Sequence, residues 1–322
     1  SEEEKLELLT KAQTLQWRNK ALSDTYEPGS TFKTISLMAA LDDGKVKMKD
    51  TIRVEHDGWW YHGAKHMDAH PSDTVYTIRQ AMAVSSNIAL AKIVTDGYNG
   101  SAKKFVKKLR NMGLCDSVDF TIPGANQALI NVPNDTVTIS KMAYGYSVEL
   151  SPLQILMFYN GIANDGKMIS PLFVKEIRKD GKTIEEFEST VIKGSMCDDS
   201  TLEGVRECLH DVVWDNELGT ASVNPWGTRK AQSNLVTIAG KTGTAQVLER
   251  GYHNTRHRMS FVGYFPEEHP QYSCICVIHA PKWPYDSGLD CGGVVRQVAE
   301  KTMAYAGEYV YKKKEKVLIV NK

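Results

Sequence analysis

The chain has 322 residues, in which 39 lysines and arginines balance 39 aspartates and glutamates. This length allows a substantial core, and the zero net charge gives no reason to expect nucleic acid or an anionic membrane surface as the main partner. The apolar runs fall short of the roughly 18 residues that a membrane-spanning helix requires, and the acidic opening SEEEKLELL lacks the apolar region of a signal peptide.

The first third of the chain is predicted to be mainly helical. Residues 1–22 are typical of a charged helix, and a Pro-Gly turn leads into a buried helix over residues 30–43. Residues 50–72, rich in histidine, tryptophan and glycine, are predicted to be irregular. Two further helices are predicted within residues 75–112, over VYTIRQAMAVSSNIALAKIV and SAKKFVKKLRNMG.

The remainder of the chain changes from helical to β-rich patterns. The segment SPLQILMFYNGIANDG and residues 199–216 favour helices, and two short β-runs flank Asp180-Gly181. The runs LVTIAGKTGTAQV, RMSFVGYF and YSCICVIHA then predict an antiparallel meander with a buried central strand. An amphipathic helix over GGVVRQVAEKTMAYAG follows, and the charge run KKKEK is predicted to be a solvated tail.

Three short motifs carry the chemical signal. Ser30 and Lys33 form S-x-x-K at the start of the buried helix, where a hydroxyl and an amine one turn apart can act as nucleophile and base. Ser85-Ser86-Asn87 forms S-x-N within the helical block, and Lys241-Thr242-Gly243 forms K-T-G on a predicted strand, followed by Thr244. Each motif alone is common, and Ser30 alone is typical of a helix N-cap. Together and in this order they are typical of penicillin-binding proteins and class A β-lactamases.

The likeness to a known family extends over most of residues 17–306. The segments SDTYEPGSTFK, MAVSSNIALAKI, YGYSVELSPLQILMFYNGIANDGKMISP, IAGKTGTAQ and SFVGYFPEEHPQY occur in the order of that family. On them, the chain resembles the transpeptidase domain of a class B penicillin-binding protein, most closely the septal cell-division transpeptidases. Family members usually carry two β-strands before the S-x-x-K helix, and residues 1–22 do not match them.

The resemblance implies an α/β (α+β) fold of the penicillin-binding-protein and β-lactamase type, in which helices flank an antiparallel sheet beside an all-helical subdomain. Residues 1–322 are expected to form a single transpeptidase domain. Its sheet-plus-helix subdomain would comprise about residues 1–45 and 235–310, and its helical subdomain about residues 46–234.

The resemblance also implies catalytic roles for the first two motifs. Ser30 would be the nucleophile, and Lys33 would be the base that takes its proton. Lys33 must be neutral for this step, so its pKa is expected to lie well below the reference value of about 10.4, lowered by burial and by the positive charge of Lys241. Ser85 would pass a proton to the leaving amine, while Asn87 would hold Lys33 and bind the substrate backbone.

The third motif would bind the substrate. Thr242 and Thr244 would hold its terminal carboxylate, with Lys241 as the background positive charge, and Gly243 would let the substrate lie against the strand. The backbone N–H groups of Ser30 and Thr244 would form the oxyanion hole. Neither a metal nor another cofactor is implied.

By resemblance, the chain is a serine D,D-transpeptidase that cross-links peptidoglycan stem peptides in cell division. The D-Ala-D-Ala donor would form an acyl-enzyme on Ser30, and β-lactams would be covalent inhibitors. The chain would be the periplasmic domain of an inner-membrane-anchored protein whose anchor is absent here, with membrane proteins of the division machinery as partners.

Two rival functions share these motifs. A β-lactamase would hydrolyse its acyl-enzyme, but no glutamate between the second and third motifs sits in the pattern that activates water in class A enzymes, and the polar Asn87 departs from class D. A sensor or scaffold domain that binds β-lactams or division proteins without turnover stays open. A P-loop is disfavoured because Leu235 occupies the position of its first glycine, and no G-x-S-x-G supports an α/β-hydrolase site.

The remaining conspicuous residues receive structural interpretations. His62, His66 and His70 are spaced four apart, but Gly63 and Pro71 argue against a helix, so a loop near the active-site rim is favoured over a zinc site. The aromatic run Trp59-Trp60-Tyr61 is expected to pack its loop rather than stack on glycan. The cysteines are expected to be free and mostly buried: Cys115, Cys197, Cys208, Cys274, Cys276 and Cys291.

Overall fold

A computed structural model gives the fold of the chain and describes residues 1–114, 124–130, 132, 135–247, 256–306, 309–313 and 316–320. Cys115, one of the predicted free thiols, lies outside these residues. The other five cysteines are free, as predicted, and all but the half-buried Cys274 and Cys276 are buried.

Helices dominate the first two thirds of the chain, and the longest strands come late. The α-helices of the described residues are α1 (Glu2–Trp17), α2 (Lys20–Ser23), α3 (Phe32–Asp42), α4 (Ile78–Ala83), α5 (Asn87–Gly97), α6 (Ala102–Asn111), α7 (Val137–Met142), α8 (Pro152–Ala163), α9 (Asp199–Trp214) and α10 (Gly293–Ala306). The strands of the same residues are β1 (Thr51–Val54), β2 (Trp59–Tyr61), β3 (Ala64–His66), β4 (Thr74–Thr77), β5 (Met168–Ile169), β6 (Glu176–Lys179), β7 (Lys182–Glu186), β8 (Val191–Lys193), β9 (Ala239–Val247), β10 (Arg256–Phe265), β11 (Tyr272–His279), β12 (Tyr309–Lys313) and β13 (Lys316–Val320). None of the helices in the described part of the chain has the length and apolar character needed to cross a membrane.

The main sheet is the predicted antiparallel meander, with strand order β11-β10-β9. Its central strand β10 is buried from Met259 to Phe265, which confirms the predicted buried centre. Side chains alternate between the two faces of a strand, so Val262 and Tyr264 pack with α8 on one face, while Met259 and Phe261 pack with α10 on the other. The sheet is thus covered by helices on both faces.

Helix α3 runs through the centre of the molecule, and every residue from Phe32 to Ala40 is buried. It packs against α5, α6 and α9. Helix α8 contacts the beginning of α3 through Tyr159. The hydroxyl of this residue lies 2.9 Å from the carbonyl oxygen of Thr31 and 2.7 Å from the hydroxyl of Thr34. The segment that carries the S-x-x-K motif is therefore held in place by the core itself.

The continuous helix predicted over VYTIRQAMAVSSNIALAKIV, residues 75–94, is wrong, because the structure divides this segment. Strand β4 is followed by α4, the chain turns at Ser85 with a φ of 60°, and α5 begins at Asn87. Ser86 caps α5, since its side chain accepts a hydrogen bond from the backbone N–H of Ala89. The S-x-N motif therefore lies at a break between two helices and not inside one.

Two segments predicted to lack regular structure contain β-hairpins. Within residues 50–72, β2 pairs with β3 around His62 and Gly63, which have φ angles of 46° and 86°, as a tight hairpin turn requires. The charge run KKKEK, predicted to be a solvated tail, covers residues 312–316, of which Lys312, Lys313 and Lys316 lie in the paired strands β12 and β13 and the other two lie outside the described residues. The hairpin predicted around Asp180-Gly181 is confirmed as β6 and β7. The division into subdomains at about residues 45 and 235 stays a prediction.

Candidate active site

The first motif lies at the floor of a large cleft. Gly29–Thr31 form a 3-10 turn that leads directly into α3, and the half-buried Ser30 lines a cavity of about 1290 Å³. The backbone N–H of Gly29 donates to the carbonyl oxygen of Gly145 at 3.2 Å. A Cβ atom on Gly145, whose φ is 90°, would lie 2.1 Å from the carbonyl oxygen of Gly29. The close approach of two glycine-bearing loops thus fixes the backbone around Ser30.

Lys33 joins the first motif to the second. Its side chain is completely buried beneath the cleft, and its ammonium donates to the carbonyl oxygen of Ser85 at 2.5 Å and to the Ser85 hydroxyl at 3.0 Å. Ser85 also lines the cleft, together with Ser30. Two serine hydroxyls thus share one cleft, and the buried amine of Lys33 contacts the second of them.

Burial dominates the electrostatics of the two motif lysines. It lowers the pKa of Lys33 to about 7, while the negative charge of Asp68 acts in the opposite direction. Lys241 is also completely buried, and its pKa is held well below the usual value by burial and by the charge of Lys33. The pKa of Lys33 is low, as expected, but burial is the cause, and the repulsion between the two lysines is expressed in the pKa of Lys241.

Asn87 departs from its expected contact. Its side-chain amide donates to the carbonyl oxygen of Met67 at 2.8 Å, and Ser85 takes the place that Asn87 was expected to have beside Lys33. The reason is the break between α4 and α5, which turns Ser85 toward the buried lysine and leaves Asn87 at the first position of α5. Asn87 still lines the cleft and can reach a bound ligand.

The third motif lies on β9 and is divided between the two faces of that strand. Thr242 and Thr244 line the cleft, whereas Lys241 and Gly243 alternate with them along the strand. The side chain of Lys241 is completely buried, and its ammonium donates to the Thr242 hydroxyl at 3.3 Å. The hydroxyl of Thr242 lies 2.8 Å from that of Thr220, and the hydroxyl of Thr244 donates to that of Ser287 at 3.3 Å. The two threonines thus present hydroxyl groups to the same cleft as Ser30.

Gly243 packs against the turn around Ser30, and its expected role in substrate approach stays a prediction. A Cβ atom at this position would lie 2.4 Å from the Ser260 hydroxyl, 2.9 Å from a methyl carbon of Thr31 and 3.2 Å from the carbonyl oxygen of Pro28. The side of Gly243 that lacks a side chain therefore faces the turn around Ser30 and not the cleft. Glycine at this position allows β9 to pack directly against the Gly29–Thr31 turn.

Several cleft residues were missed by sequence reasoning. Asp68 accepts hydrogen bonds from the S-x-N segment, and Thr220, Glu217, Tyr144 and Ser287 line the cleft. No local pattern could have indicated them, because their partners lie far away in the sequence. Thr220, for example, contacts a residue 22 positions later.

The three spaced histidines lie in different environments. His66 is buried, and its ring nitrogens lie 2.8 Å from the Tyr144 hydroxyl and 3.0 Å from the Ser140 hydroxyl. His70 lines the cleft, in agreement with the favoured loop near the active-site rim, and His62 is exposed at the tip of the β2–β3 hairpin. Among the described residues, no three histidines, cysteines, aspartates or glutamates are grouped so that they could hold a metal ion.

Comparison with known proteins places this site in a family. The family model described as penicillin binding protein transpeptidase domain matches residues 2–303. A probable peptidoglycan D,D-transpeptidase, PbpC of Pseudomonas aeruginosa, is 27% identical over 267 residues, which cover 82% of this chain and 43% of that protein. A peptidoglycan D,D-transpeptidase FtsI homolog of Mesostigma viride is 25% identical over 318 residues, covering 88% of this chain and 50% of that protein. The chain thus spans about half the length of the curated relatives it matches.

The solved structures agree with the fold. Penicillin binding protein 2X of Streptococcus thermophilus superposes with a TM-score of 0.78 at 22% identity, covering 89% of this chain and 42% of that one. This likeness supports the α+β fold with helices on both faces of an antiparallel sheet, as predicted. Residues of all three motifs line one cleft, and the family model matches nearly the whole sequence. The chain therefore belongs to the family of penicillin-binding protein transpeptidase domains.

Proposed function

We propose that this chain is the catalytic domain of a peptidoglycan D,D-transpeptidase that works through an acyl-enzyme on Ser30. The observation that carries the proposal is the position of Lys33, one helical turn from Ser30, completely buried and bonded to Ser85. An amine whose pKa is about 7 is partly neutral at neutral pH and can accept a proton. The names of the two curated relatives, a probable peptidoglycan D,D-transpeptidase and a peptidoglycan D,D-transpeptidase homolog, support the same reaction.

The first half of the reaction forms the acyl-enzyme. The Ser30 oxygen attacks the carbonyl carbon between the two terminal D-alanines, and its proton passes to the amine of Lys33. The backbone N–H groups of Ser30 and Thr244 stabilise the negative charge that develops on the carbonyl oxygen. The C–N bond then breaks, Ser85 delivers a proton to the departing amine, and free D-alanine leaves.

The second half transfers the acyl group. The amine of a neighbouring stem peptide attacks the ester carbon, loses a proton to the Lys33–Ser85 pair, and displaces the Ser30 oxygen, which is reprotonated. Throughout donor binding, the terminal carboxylate lies at Thr242 and Thr244. Its negative charge favours the protonated form of Lys241, because it offsets the burial that lowers the pKa of this amine.

The biological setting follows from the same resemblance. β-Lactams would acylate Ser30 and persist there, and peptidoglycan stem peptides would be the natural substrates. The domain would act in the periplasm in cell division, as part of a membrane-anchored protein that works with division-machinery proteins. The relative named an FtsI homolog supports this setting.

Hydrolysis of the acyl-enzyme is the competing activity, and the position of Glu217 is the observation that favours it. Of the described glutamates, Glu217 is the one that lines the cleft, where a carboxylate could activate water. The variant Glu217→Gln therefore distinguishes the two activities. It should leave the lifetime of the penicillin adduct unchanged in a transpeptidase and lengthen it in a β-lactamase.

The test of the proposed function is a time course with a fluorescent penicillin, followed by intact-mass spectrometry and peptide mapping. A transpeptidase should form a long-lived adduct on Ser30 and should transfer a D-Ala-D-Ala donor peptide to an added amine acceptor. Ser30→Ala should abolish the adduct with an unchanged melting temperature, while the matched cleft variant Ser72→Ala should retain it. An adduct on the Ser30→Ala protein would overturn the proposal, rapid release of hydrolysed drug would indicate a β-lactamase, and a stable adduct without transfer would indicate a sensor.

A further inference from the structure

Asp68 is the acidic group that contacts the S-x-N segment directly. One carboxylate oxygen accepts hydrogen bonds from the backbone N–H of Asn87 at 2.5 Å and of Ile88 at 3.0 Å. The other oxygen accepts from the hydroxyl of Ser86 at 2.7 Å. These are bonds to an ionised acceptor at the beginning of α5, where backbone N–H groups lack helical partners. Both oxygens of Asp68 are thus committed to the segment that follows Ser85.

The backbone that Asp68 holds is strained. Ser85 has a φ of 60°, which residues with a side chain seldom adopt and which surrounding contacts must maintain. The carbonyl oxygen and the hydroxyl of this residue both accept hydrogen bonds from the Lys33 ammonium. A displacement of α5 would therefore move the acceptors away from the buried lysine.

Asp68 also supplies charge to the site. Its negative charge favours the protonated form of Lys33 and offsets part of the effect of burial on the pKa of that amine. The charge of Lys33 in turn lowers the pKa of Lys241. Asp68 lines the same cleft as Ser30 and Ser85, where a ligand bound in the cleft can approach it.

We propose that Asp68 is a positioning residue for acylation, which holds the strained Ser85 turn against Lys33 and provides the negative charge that balances the buried amine. This inference rests on the proposed function, since it concerns the same nucleophile and base. Asp68 touches neither Ser30 nor the reacting atoms, and it acts through Ser85 and Lys33.

Two substitutions separate the charge from the hydrogen bonds. Asp68→Asn keeps an oxygen acceptor for the two backbone N–H groups, and its amide can donate to the Ser86 hydroxyl, so the turn is preserved without the charge. Asp68→Ala removes both. Asp73→Asn is the matched control, because Asp73 is an exposed aspartate nearby in the same segment, 3.8 Å from Arg53.

The experiment measures the second-order acylation rate with a fluorescent penicillin from pH 5 to 10 for the wild type and the three variants. Asp68→Asn should keep the high-pH rate within about threefold of wild type and should move the midpoint of the profile to lower pH, because Lys33 loses its proton more easily. Asp68→Ala should lower the high-pH rate by at least about tenfold, since the acceptors of Lys33 are displaced. Asp73→Asn should match the wild type.

A purely structural role for Asp68 would lower the rate without moving the midpoint, and this result would overturn the proposal. An unchanged profile in both Asp68 variants would overturn it as well. Nitrogen NMR of the Lys33 side chain measures the same midpoint without any turnover. Comparison of the wild type with Asp68→Asn by this method still tests the charge effect if Asp68→Ala does not fold. Failure of the wild type itself to be acylated would count against the proposed function. The role of Asp68 would then be tested by the Lys33 midpoint that NMR measures in the wild type and in Asp68→Asn.

Discussion

The ammonium nitrogen of Lys33 lies 3.0 Å from the hydroxyl oxygen of Ser85, although 52 positions separate the two residues in the sequence. This contact joins the first helix of the core to the break between α4 and α5. It also gives the buried amine an acceptor that can carry its proton onward. The reactivity of Ser30 is therefore expected to depend on the protonation of Lys33.

The acylation rate should rise with pH and level off above about pH 7, because burial lowers the pKa of Lys33 to about 7 and the neutral amine is the proposed base. In Lys33→Arg this rise should disappear, because a guanidinium keeps its proton, and acylation should fall by a factor of about 10²–10⁴. The exposed lysine variant Lys65→Arg serves as the control. A Lys33→Arg protein that is acylated at the wild-type rate would exclude Lys33 as the base.

The lowered pKa of Lys33 also makes the stability of the fold depend on pH. The pKa of Lys33 is lower in the folded chain than in the unfolded chain, so the unfolded chain binds more protons between about pH 7 and pH 10.5. The free energy of unfolding should therefore rise with pH in this window, and Lys241 contributes with the same sign. Urea unfolding of Lys33→Met should show a shallower rise than the wild type, and an equal slope would contradict the shift.

Gly145→Ala should destabilise the fold and slow acylation, because its Cβ atom would lie 2.1 Å from the carbonyl oxygen of Gly29. Gly124→Ala is a matched control, since Gly124 shares the φ of 90° but has no atom within 4 Å of the added carbon. In the control, the free energy of unfolding should fall only by the cost of placing alanine at a positive φ, on the order of 1–2 kcal/mol. Urea unfolding measures both variants, and an equal loss would show that the contact with Gly29 is unimportant.

Gly243→Ala should lower both the melting temperature and the acylation rate, because the added carbon collides with Ser260 and with Thr31, the residue after the proposed nucleophile. A variant that weakened ligand binding at full stability would instead favour a role of Gly243 in substrate approach. Adding Ser260→Ala should restore part of the loss, since it removes the atom at 2.4 Å. Gly194→Ala, where the added carbon meets nothing within 4 Å, should leave both quantities unchanged.

The elements that sequence reasoning predicted well are those whose signals are local. The strands β9 to β11 follow from their β-branched and aromatic runs. Helix α8 begins at Pro152, directly after its N-cap Ser151, which forms a capping box with Gln154. The break at Ser85 was missed because apolar spacing continues across it, from Met82 to Ile88. Tertiary contacts divide the helix: Lys33 donates a hydrogen bond to Ser85 on one side of the turn, and Asp68 accepts one from the backbone N–H of Asn87 on the other.

The motif residues themselves were predicted, but their orientation was not. K-T-G identifies a strand without saying which face its residues occupy. The pairing of Thr244 with Met259, and of Gly243 with Ser260, fixes that register in the folded chain. Asp68 and Thr220 were beyond prediction because their chemistry appears only when distant segments meet.

The packing of β9 against the Gly29–Thr31 turn also bears on biosynthesis. A ribosome delivers Ser30 and Lys33 early, whereas the strand that faces them is translated only after most of the chain has emerged. Any polypeptide interrupted before β9 carries the serine but lacks the wall that completes its cleft. Penicillin should therefore label only chains that already contain β9. Labelling at intervals after a pulse of synthesis would measure how long the site takes to form.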